Sequence, residues 1–327
     1  MINPNGRYRE ASVVVKLGET ATLKDYGAVG DNIVDDTNAL IAALNSGKTV
    51  VIGKGTYRIN GSVVYTSPNP ISVVAEKGAV LDATGSSAST VLTLGGSRGT
   101  TAYTLTSAAN VGEKSIVSVI PGVAVGDILL LTTVNASPVD LWSTERSDFY
   151  RGETVEVESI TGATLTLKSQ LNDTYAVSKT TVYKLTMPTV SVQNLEIRRN
   201  GNTSGLAISY AKDLVVSGCR ISGARDRAFN LSYIHSGVFS NNHSTDNWYT
   251  GSATSYALSV GTAQDLTIRE NRLHGGRHAM FLRGLEPSRR ISLVGNVLDN
   301  YHSSGLYALH IGGNCEHVSI DLSLIHI

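Results

Sequence analysis

The chain has 327 residues, a formal net charge of +0 and 17% charged residues. The length suits one large domain or two. Balanced charge without a basic block excludes nucleic acid as the main partner. No apolar run approaches the roughly 20 residues of a membrane helix, so no membrane insertion is expected.

Residues 1–20 are predicted to form an N-terminal arm. Their sequence contains no apolar core of the kind that a secretory signal peptide needs, so we expect synthesis in a cytoplasm. The two cysteines, Cys219 and Cys315, are too few for a disulfide framework and agree with assembly in a reducing compartment.

Residues 21–97 predict a short capping helix and the first β coils. Asp35 and Asp36 are placed to cap the helix, because carboxylates accept the free N–H groups of a first turn. Apolar side chains then recur on one helical face, at Ala39, Leu40, Ala43 and Leu44. Such a helix would cover the open interior of the first coil.

Three sequence runs in this region carry a family resemblance: DYGAVGD, DDTNALIAAL and VVIGKGTYRI. They resemble the opening of pectate-lyase-superfamily β-helices, above all of phage tailspikes and polysaccharide depolymerases. In that family the segment is a structural cap, so Asp31, Asp35 and Asp36 are not expected to be catalytic. The resemblance implies a virion tail location, attachment to a phage tail or baseplate, a bacterial surface polysaccharide as partner, and a homotrimer at full length.

Residues 98–187 have a different pattern, with longer alternating runs separated by glycine turns. The runs are KSIVSVIPGVAVGDILLLTT and GETVEVESITGATLTLKS. They predict an inserted antiparallel β subdomain.

Residues 188–327 contain two imperfect repeats, which predict stacked coils. The first places two apolar residues before a small or polar one, as in Leu195–Ile197–Asn200, Leu214–Val216–Cys219, Leu266–Ile268–Asn271 and Ile291–Leu293–Asn296, with a weaker copy at Gly237–Phe239–Asn242. The second begins at Gly205, Ala228, Ala257, Ala279 and Ala308, which are 23, 29, 22 and 29 residues apart. The chain is therefore predicted to be all-β: a right-handed parallel β-helix with a short N-terminal capping α-helix and an inserted antiparallel β subdomain.

Side chains alternate across a strand, so the second repeat defines outward columns. One column is Ser204, Arg227, Tyr256, His278 and Tyr307, and the next is Ala207, Asn230, Ser259, Phe281 and His310. Imidazole and phenol groups can act as general base and acid, and arginine can stabilise developing negative charge. The predicted catalytic residues are His278, Tyr256, Tyr307, Arg227 and Asp226. The predicted substrate-binding residues are Trp248, Tyr249, Arg277, Arg283 and His310, whose rings and guanidinium groups suit sugars and acidic groups.

Two other readings of these columns stay open. Aromatic residues are favoured on strands anyway, so the columns could serve packing alone. Hydrolysis by two carboxylates is the rival chemistry, with candidates Asp226, Asp246, Glu286 and Asp299. No cofactor is expected, and no histidine or cysteine spacing indicates a metal site.

The sequence thus favours a tailspike-like depolymerase that cleaves capsule, exopolysaccharide or O-antigen by lyase or hydrolase chemistry. The alternatives are a non-catalytic glycan-binding fibre and a cellular pectate-lyase-like enzyme or epimerase. By the repeat, the last coil stops unfinished at Ile327, so we expect a C-terminally truncated chain in which Leu322 to Ile327 are not native.

Overall fold

The computed structural model of the protein describes residues 19–133, 150–201, 203–247, 255–300, 308–312, 314–321 and 323–325. Within these ranges the chain forms a right-handed parallel β-solenoid of about 11 turns, with one short α-helix and a small antiparallel sheet. The predicted fold class is confirmed.

Two parallel sheets of the described residues build the solenoid. The thirteen-stranded sheet comprises Thr20–Thr22, Thr49–Ile52, Val63–Thr66, Ile71–Ala75, Thr90–Gly95, Thr189–Gln193, Ser204–Ser217, Arg227–Ser240, Tyr256–Arg269, His278–Leu282, Ser288–Val294, Leu309–Ile311 and Cys315–Asp321. The nine-stranded sheet comprises Asp31–Asp35, Gly55–Arg58, Ala79–Asp82, Glu196–Gly201, Arg220–Ala224, His243–Thr245, Arg272–Gly275, Val297–Asn300 and Leu324–Ile325.

The thirteen-stranded sheet bends at corners and so presents two faces. Face I consists of segments 63–66, 90–95, 204–209, 227–232, 256–261, 278–282 and 309–311. Face II follows each corner, as in 214–217 and 237–240. Residues with left-handed φ make the bends, for example Tyr210 (54°), Tyr233 (53°) and Thr262 (51°). The nine-stranded sheet is face III.

The interior consists of stacked apolar side chains that stand at the same repeat position in successive coils. The side chains predicted to be buried in the repeat are all at most 1% exposed: Leu214, Val216, Leu266, Ile268, Leu293, Ala228, Ala257, Ala279 and Ala308. Because stacked coils remove these groups from water, the hydrophobic effect and the ladder hydrogen bonds act together to hold the register.

A column of buried amides stands at the turn between face II and face III. Asn242, Asn271 and Asn296 form this asparagine stack, in which the Nδ2 of Asn242 donates to the Oδ1 of Asn271 over 3.1 Å, and that of Asn271 to Asn296 over 2.9 Å. The predicted stacking is confirmed for these three. It was wrong for Asn200, which is exposed.

The first repeat copy was assigned to the wrong residues. Val192, rather than Ile197, is paired with Val216, and Ile197 lies on face III beside Ile221. The run Val190, Val192, Leu195 has the same apolar spacing as Leu195, Ile197, Asn200, so the two frames compete in the sequence.

The α-helix Thr37–Asn45 buries the four predicted apolar residues and packs against Val63–Thr66 and the short 3-10 helix Lys24–Tyr26. Asp36 stands at the N-cap position, but its carboxylate instead accepts hydrogen bonds from the backbone N–H groups of Val29 and Gly30, over 2.8 and 3.1 Å. Asp35 accepts from the Thr37 N–H over 3.0 Å. The predicted capping by Asp36 is therefore wrong, and its side chain holds the preceding loop. No helix in the described part of the chain is long and apolar enough to cross a membrane.

The antiparallel sheet, called the inserted sheet below, lies between the early and later coils in sequence. Its strands are Ser97–Arg98, Tyr103–Thr104, Ser115–Val117, Ile128–Thr133, Gly152–Thr161, Thr164–Leu167 and Thr180–Thr186. The chain leaves face I at Gly95 and Gly96, where any side chain would collide with the backbone of Ser209 and Thr186 respectively. The boundaries 1–20, 21–97, 98–187 and 188–327 stay a prediction as domain limits.

Buried polar contacts fix the inserted sheet on the solenoid. The fully buried Arg289 donates from Nη1 to the Gly152 carbonyl over 2.7 Å and from Nη2 to Asp173 over 2.6 Å. Its Nε donates to Glu316 over 2.7 Å in the next coil. Thr154 is hydrogen-bonded to Gln264, and its hydroxyl lies 2.8 Å from the Nδ1 of His235.

Candidate functional site

The outward columns of face I stand in the register that the repeat predicts. Arg227 is paired with Tyr256, and Tyr256 with His278, on successive coils. Asn230, Ser259, Phe281 and His310 are likewise neighbours in one column. These residues therefore share one surface because the inward apolar residues fix which side of each strand faces out.

Outward does not mean solvent-exposed at this surface. Tyr256 is 6% exposed and His278 is 2% exposed, so their predicted solvent-facing position is wrong. The rings cover one another: Tyr256 stacks on His278 at 5.6 Å and on Phe281 at 4.9 Å between centroids. Stacking between adjacent coils increases the contact area of the aromatic rings, so the rings of Tyr256 and His278 are buried.

His310 and Phe281 are the accessible members of this aromatic cluster in the described part of the chain. His310 is half-buried, packs edge-on against His278 and Phe281 at 4.9 and 5.0 Å, and its Nδ1 lies 3.3 Å from the Nε2 of His278. Burial, and then the positive charge of Arg277, lower the pKa of His310 from its usual value. A neutral imidazole held by a second imidazole can accept a proton at its other nitrogen.

An ion pair borders the cluster at the start of the same strands. Arg227 Nη1 lies 2.9 Å from Asp226 Oδ2, which also accepts a hydrogen bond from Ser204 over 3.0 Å. The Arg227 guanidinium stands 5.8 Å from the Tyr256 ring centroid. Asp226 and Arg227 are both partly exposed, so a charged group of a ligand could replace one of them in the ion pair.

The remaining predicted binding residues lie at both ends of the face I strands. Arg277 precedes the strand His278–Leu282 and Arg283 follows it, and both are half-buried. At the end of the strands near Arg283, the hydroxyls of Ser209 and Ser232 lie 2.8 Å apart in another outward column. Trp248, Tyr249 and Tyr307 lie outside the described residues.

The four rival carboxylates do not gather on face I. Glu286 is 3% exposed and is held by Thr132 over 2.9 Å at the opposite end of the strands from Asp226. Seven residues separate Asp226 from Tyr233, which hydrogen-bonds to Glu286, so the two carboxylates stand roughly 20 Å apart at about 3.3 Å per residue. Glycosidase pairs stand about 5–9.5 Å apart. Asp299 lies on face III, 3.5 Å from His274, and Asp246 is exposed in the turn after His243–Thr245.

A tyrosine cluster at the junction with the inserted sheet was missed from the sequence. Tyr210 and Tyr233 stack at 4.6 Å, and the Arg98 guanidinium lies 4.5 Å from the Tyr183 centroid. Burial, followed by the charge of Glu286, raises the pKa of Tyr233. Tyr210 and Tyr233 are separated by the same number of residues as Gly205 and Ala228 of the second repeat, which could have indicated this column. The side chains that pack on them come from the inserted sheet, and the repeat does not predict those contacts.

Among the described ranges, no three His, Cys, Asp or Glu side chains converge in a way that could hold a metal ion.

Comparisons with known proteins agree with this architecture. The family described as right handed beta helix region matches residues 156–324. The tailspike protein gp49 from Pseudomonas phage LKA1 superposes with a TM-score of 0.84 at 21% identity, over 93% of this chain and 56% of that one. The Pseudomonas phage phi297 tailspike gp61 has a TM-score of 0.81 at 19% identity, over 95% and 57%.

A third solved structure contains a ligand. The Gp54 tailspike of Acinetobacter baumannii bacteriophage AP22, in complex with A. baumannii capsular saccharide, has a TM-score of 0.72 at 19% identity, over 93% of this chain and 51% of that one. The chain thus spans about half the length of these tailspikes. No curated protein matches its sequence. The chain belongs to the right handed beta helix region family, and its solenoid has the fold of phage tailspikes.

Proposed function

We propose that the protein binds a bacterial surface polysaccharide along face I and cleaves it there. The observation that carries the proposal is the Phe281–His310 surface beside the Asp226–Arg227 ion pair. An aromatic ring can pack on the apolar face of a sugar, and an arginine can pair with an acidic group. The complex of the Gp54 tailspike with capsular saccharide, on the same fold, supports this choice of ligand.

The chemistry that this surface supports best is β-elimination from an acidic sugar. In this scheme His310 removes the proton beside the carboxylate, and His278 positions its ring through the 3.3 Å contact. Arg277, whose positive charge already acts on His310, stabilises the negative charge that develops on the carboxylate. The carbon–carbon double bond forms as the bond to the glycosidic oxygen breaks, and the protonated His310 returns its proton to that oxygen. Asp226 and Glu286 stand too far apart to act as a hydrolytic pair.

The test is a cleavage assay on a panel of purified capsules, with ultraviolet detection of unsaturated ends. His310→Ala should lower turnover by roughly 10²–10⁴-fold, the usual contribution of a positioned base. His274→Ala on face III is the matched control and should keep wild-type turnover. Full activity in His310→Ala, or reducing ends without unsaturation, contradicts the elimination scheme.

A non-catalytic glycan-binding fibre is the second candidate. The burial of Tyr256 and His278 favours it, because two predicted catalytic groups have little access to a substrate. Tight binding of a capsule that is never cleaved, with binding lost in Phe281→Ala, would support the fibre.

We also propose that the protein works in a phage tail as a homotrimer, as the likeness in fold to tailspikes suggests. Light scattering on the full-length protein measures the mass; a stable monomer that retains full activity contradicts the trimer.

A further inference from the structure

Two arginines and the histidine between them stand in register on the outer side of face III. Arg220 is paired with His243, and His243 with Arg272, on successive strands. Both arginines are exposed and His243 is half-buried. We call these three residues the cationic row. Its members repeat at the coil spacing of ~4.8 Å.

The carboxylates nearest to the cationic row are held by other side chains. Glu196, which stands opposite Arg220 on the preceding strand, is paired with Arg198 over 2.8 Å. Asp299 lies beside His274 at 3.5 Å. Within the described part of the chain, no carboxylate forms an ion pair with a member of the cationic row. Like charges at this spacing repel one another, so the arrangement is unfavourable until an anion binds.

The pKa of His243, the central residue of the cationic row, is lowered by its surroundings. Burial lowers the pKa of His243 first, and the positive charges of Arg220, His274 and Arg272 lower it further. These groups are the charged neighbours on the two strands that flank His243.

The cationic row opens into a concave surface at one end. A cleft of about 410 Å³ lies where the chain turns from face II into face III, and its polar lining consists of Arg220, Lys77, Asn194, Glu76 and Glu196. A ligand could therefore enter from a cleft that carries hydrogen-bonding groups and continue along the coils.

We propose that the cationic row binds a linear polyanionic glycan, with one carboxylate at each successive coil. This site is separate from face I and does not depend on cleavage there. The coil spacing is close to the length of one sugar ring in an extended chain. A single-stranded nucleic acid fits less well, because base stacking needs aromatic platforms and the outward columns around the row contain no Tyr, Trp or Phe.

The test compares two double variants of equal charge in a binding titration with oligogalacturonate at fixed ionic strength. Arg220→Gln with Arg272→Gln should weaken binding by at least about 10-fold, because it removes two direct charge partners. Arg269→Gln with Arg290→Gln is the control, since both arginines are already paired with a neighbouring carboxylate away from the cationic row; it should change binding less than about 2-fold. An NMR titration should show that the ligand raises the pKa of His243.

Several outcomes would overturn this site. Equal weakening in both double variants would show a general charge effect, and tighter binding of a single-stranded oligonucleotide would show a nucleic-acid site. No measurable binding to wild type, or loss of binding in His310→Ala, would also overturn it. Retained binding in an inactive His310→Ala supports the second site, whatever happens to the proposed cleavage.

Discussion

The side chains of face I show how neighbours decide which histidine can do chemistry. His278 and His310 stand one coil apart, yet only His310 has access to solvent. His278 is buried in contact with Tyr256, Phe281 and His310, so in the proposed scheme its role is to hold the His310 ring. The proposed base is thus the histidine that the sequence assigned to binding.

The environment of His310 predicts a pH dependence. A base acts only when neutral, and a lowered pKa keeps His310 neutral down to a more acidic pH. We expect turnover to rise with pH along an acid limb whose midpoint lies below the usual histidine value of about 6.5. Arg277→Gln removes a positive charge, which should raise the pKa and move this limb to higher pH.

Arg225→Gln is the control for this shift, because Arg225 does not contribute to the lowered pKa of His310. The measurement is a pH profile of turnover at saturating glycan. An acid limb that stays in place in Arg277→Gln would contradict the electrostatic link.

Sequence reasoning found the columns but not their burial. The repeat put Arg227, Tyr256 and His278 in register because strand alternation is a local rule. Exposure depends on side chains from other coils, and ring stacking at 5.6 Å cannot be inferred from the alternation of a single strand. The same limit applies to Glu286, whose partner Thr132 is 154 residues away.

The asparagine stack is the element that joins successive coils through side chains. Asn271 donates from Nδ2 to the Phe239 carbonyl over 3.0 Å and to Asn296, and its Oδ1 accepts from both nitrogens of Asn242. Every one of these partners is buried, so no water could replace a lost amide.

Asn271→Ala should therefore lower the free energy of unfolding by about 2–4 kcal/mol, since it leaves several buried polar groups unpaired. Asn200→Ala is the matched control and should change it by less than about 0.5 kcal/mol, because Asn200 is exposed. Urea unfolding followed by circular dichroism measures both. Comparable losses in the two variants would contradict the role of the stack.

The position of the asparagine stack was predicted correctly from the first sequence repeat. Asn271 and Asn296 follow an apolar pair, and Asn242 follows the weaker pair Gly237 and Phe239, so the repeat predicts that all three stand at the same turn. Near residue 195 two frames share Leu195, and only pairing with the strand Ile71–Ala75 selects Val190 and Val192 as the inward pair.

The whole molecule depends on how the inserted sheet meets the solenoid. Arg289 is fully buried and joins Gly152 and Asp173 of the insert to Glu316 of the next coil. A buried guanidinium is stable only when all of its N–H donors are hydrogen-bonded. Loss of any one of the three contacts would therefore leave a buried donor of Arg289 without a partner.

Arg289→Met should lower the free energy of unfolding by about 3–5 kcal/mol, because Asp173 and Glu316 lose a buried partner. Arg290→Met, at the next residue, should change it by about 0–1 kcal/mol, since its pair with Asp265 is exposed. Denaturant unfolding measures both, and limited proteolysis should cut the insert first in Arg289→Met. Equal effects of the two substitutions would contradict a buried clamp.

One outward column of face I reads Ala207, Asn230, Ser259, Phe281 and His310, while the inward positions on either side stay apolar. The surface proposed to bind glycan is thus formed by residues other than the apolar ones that fill the interior. If face I binds glycan as proposed, substitutions at the partly exposed Asn230 and Ser259 could change the ligand with little effect on stability. The same separation makes these five positions a natural site for a combinatorial library aimed at a new saccharide.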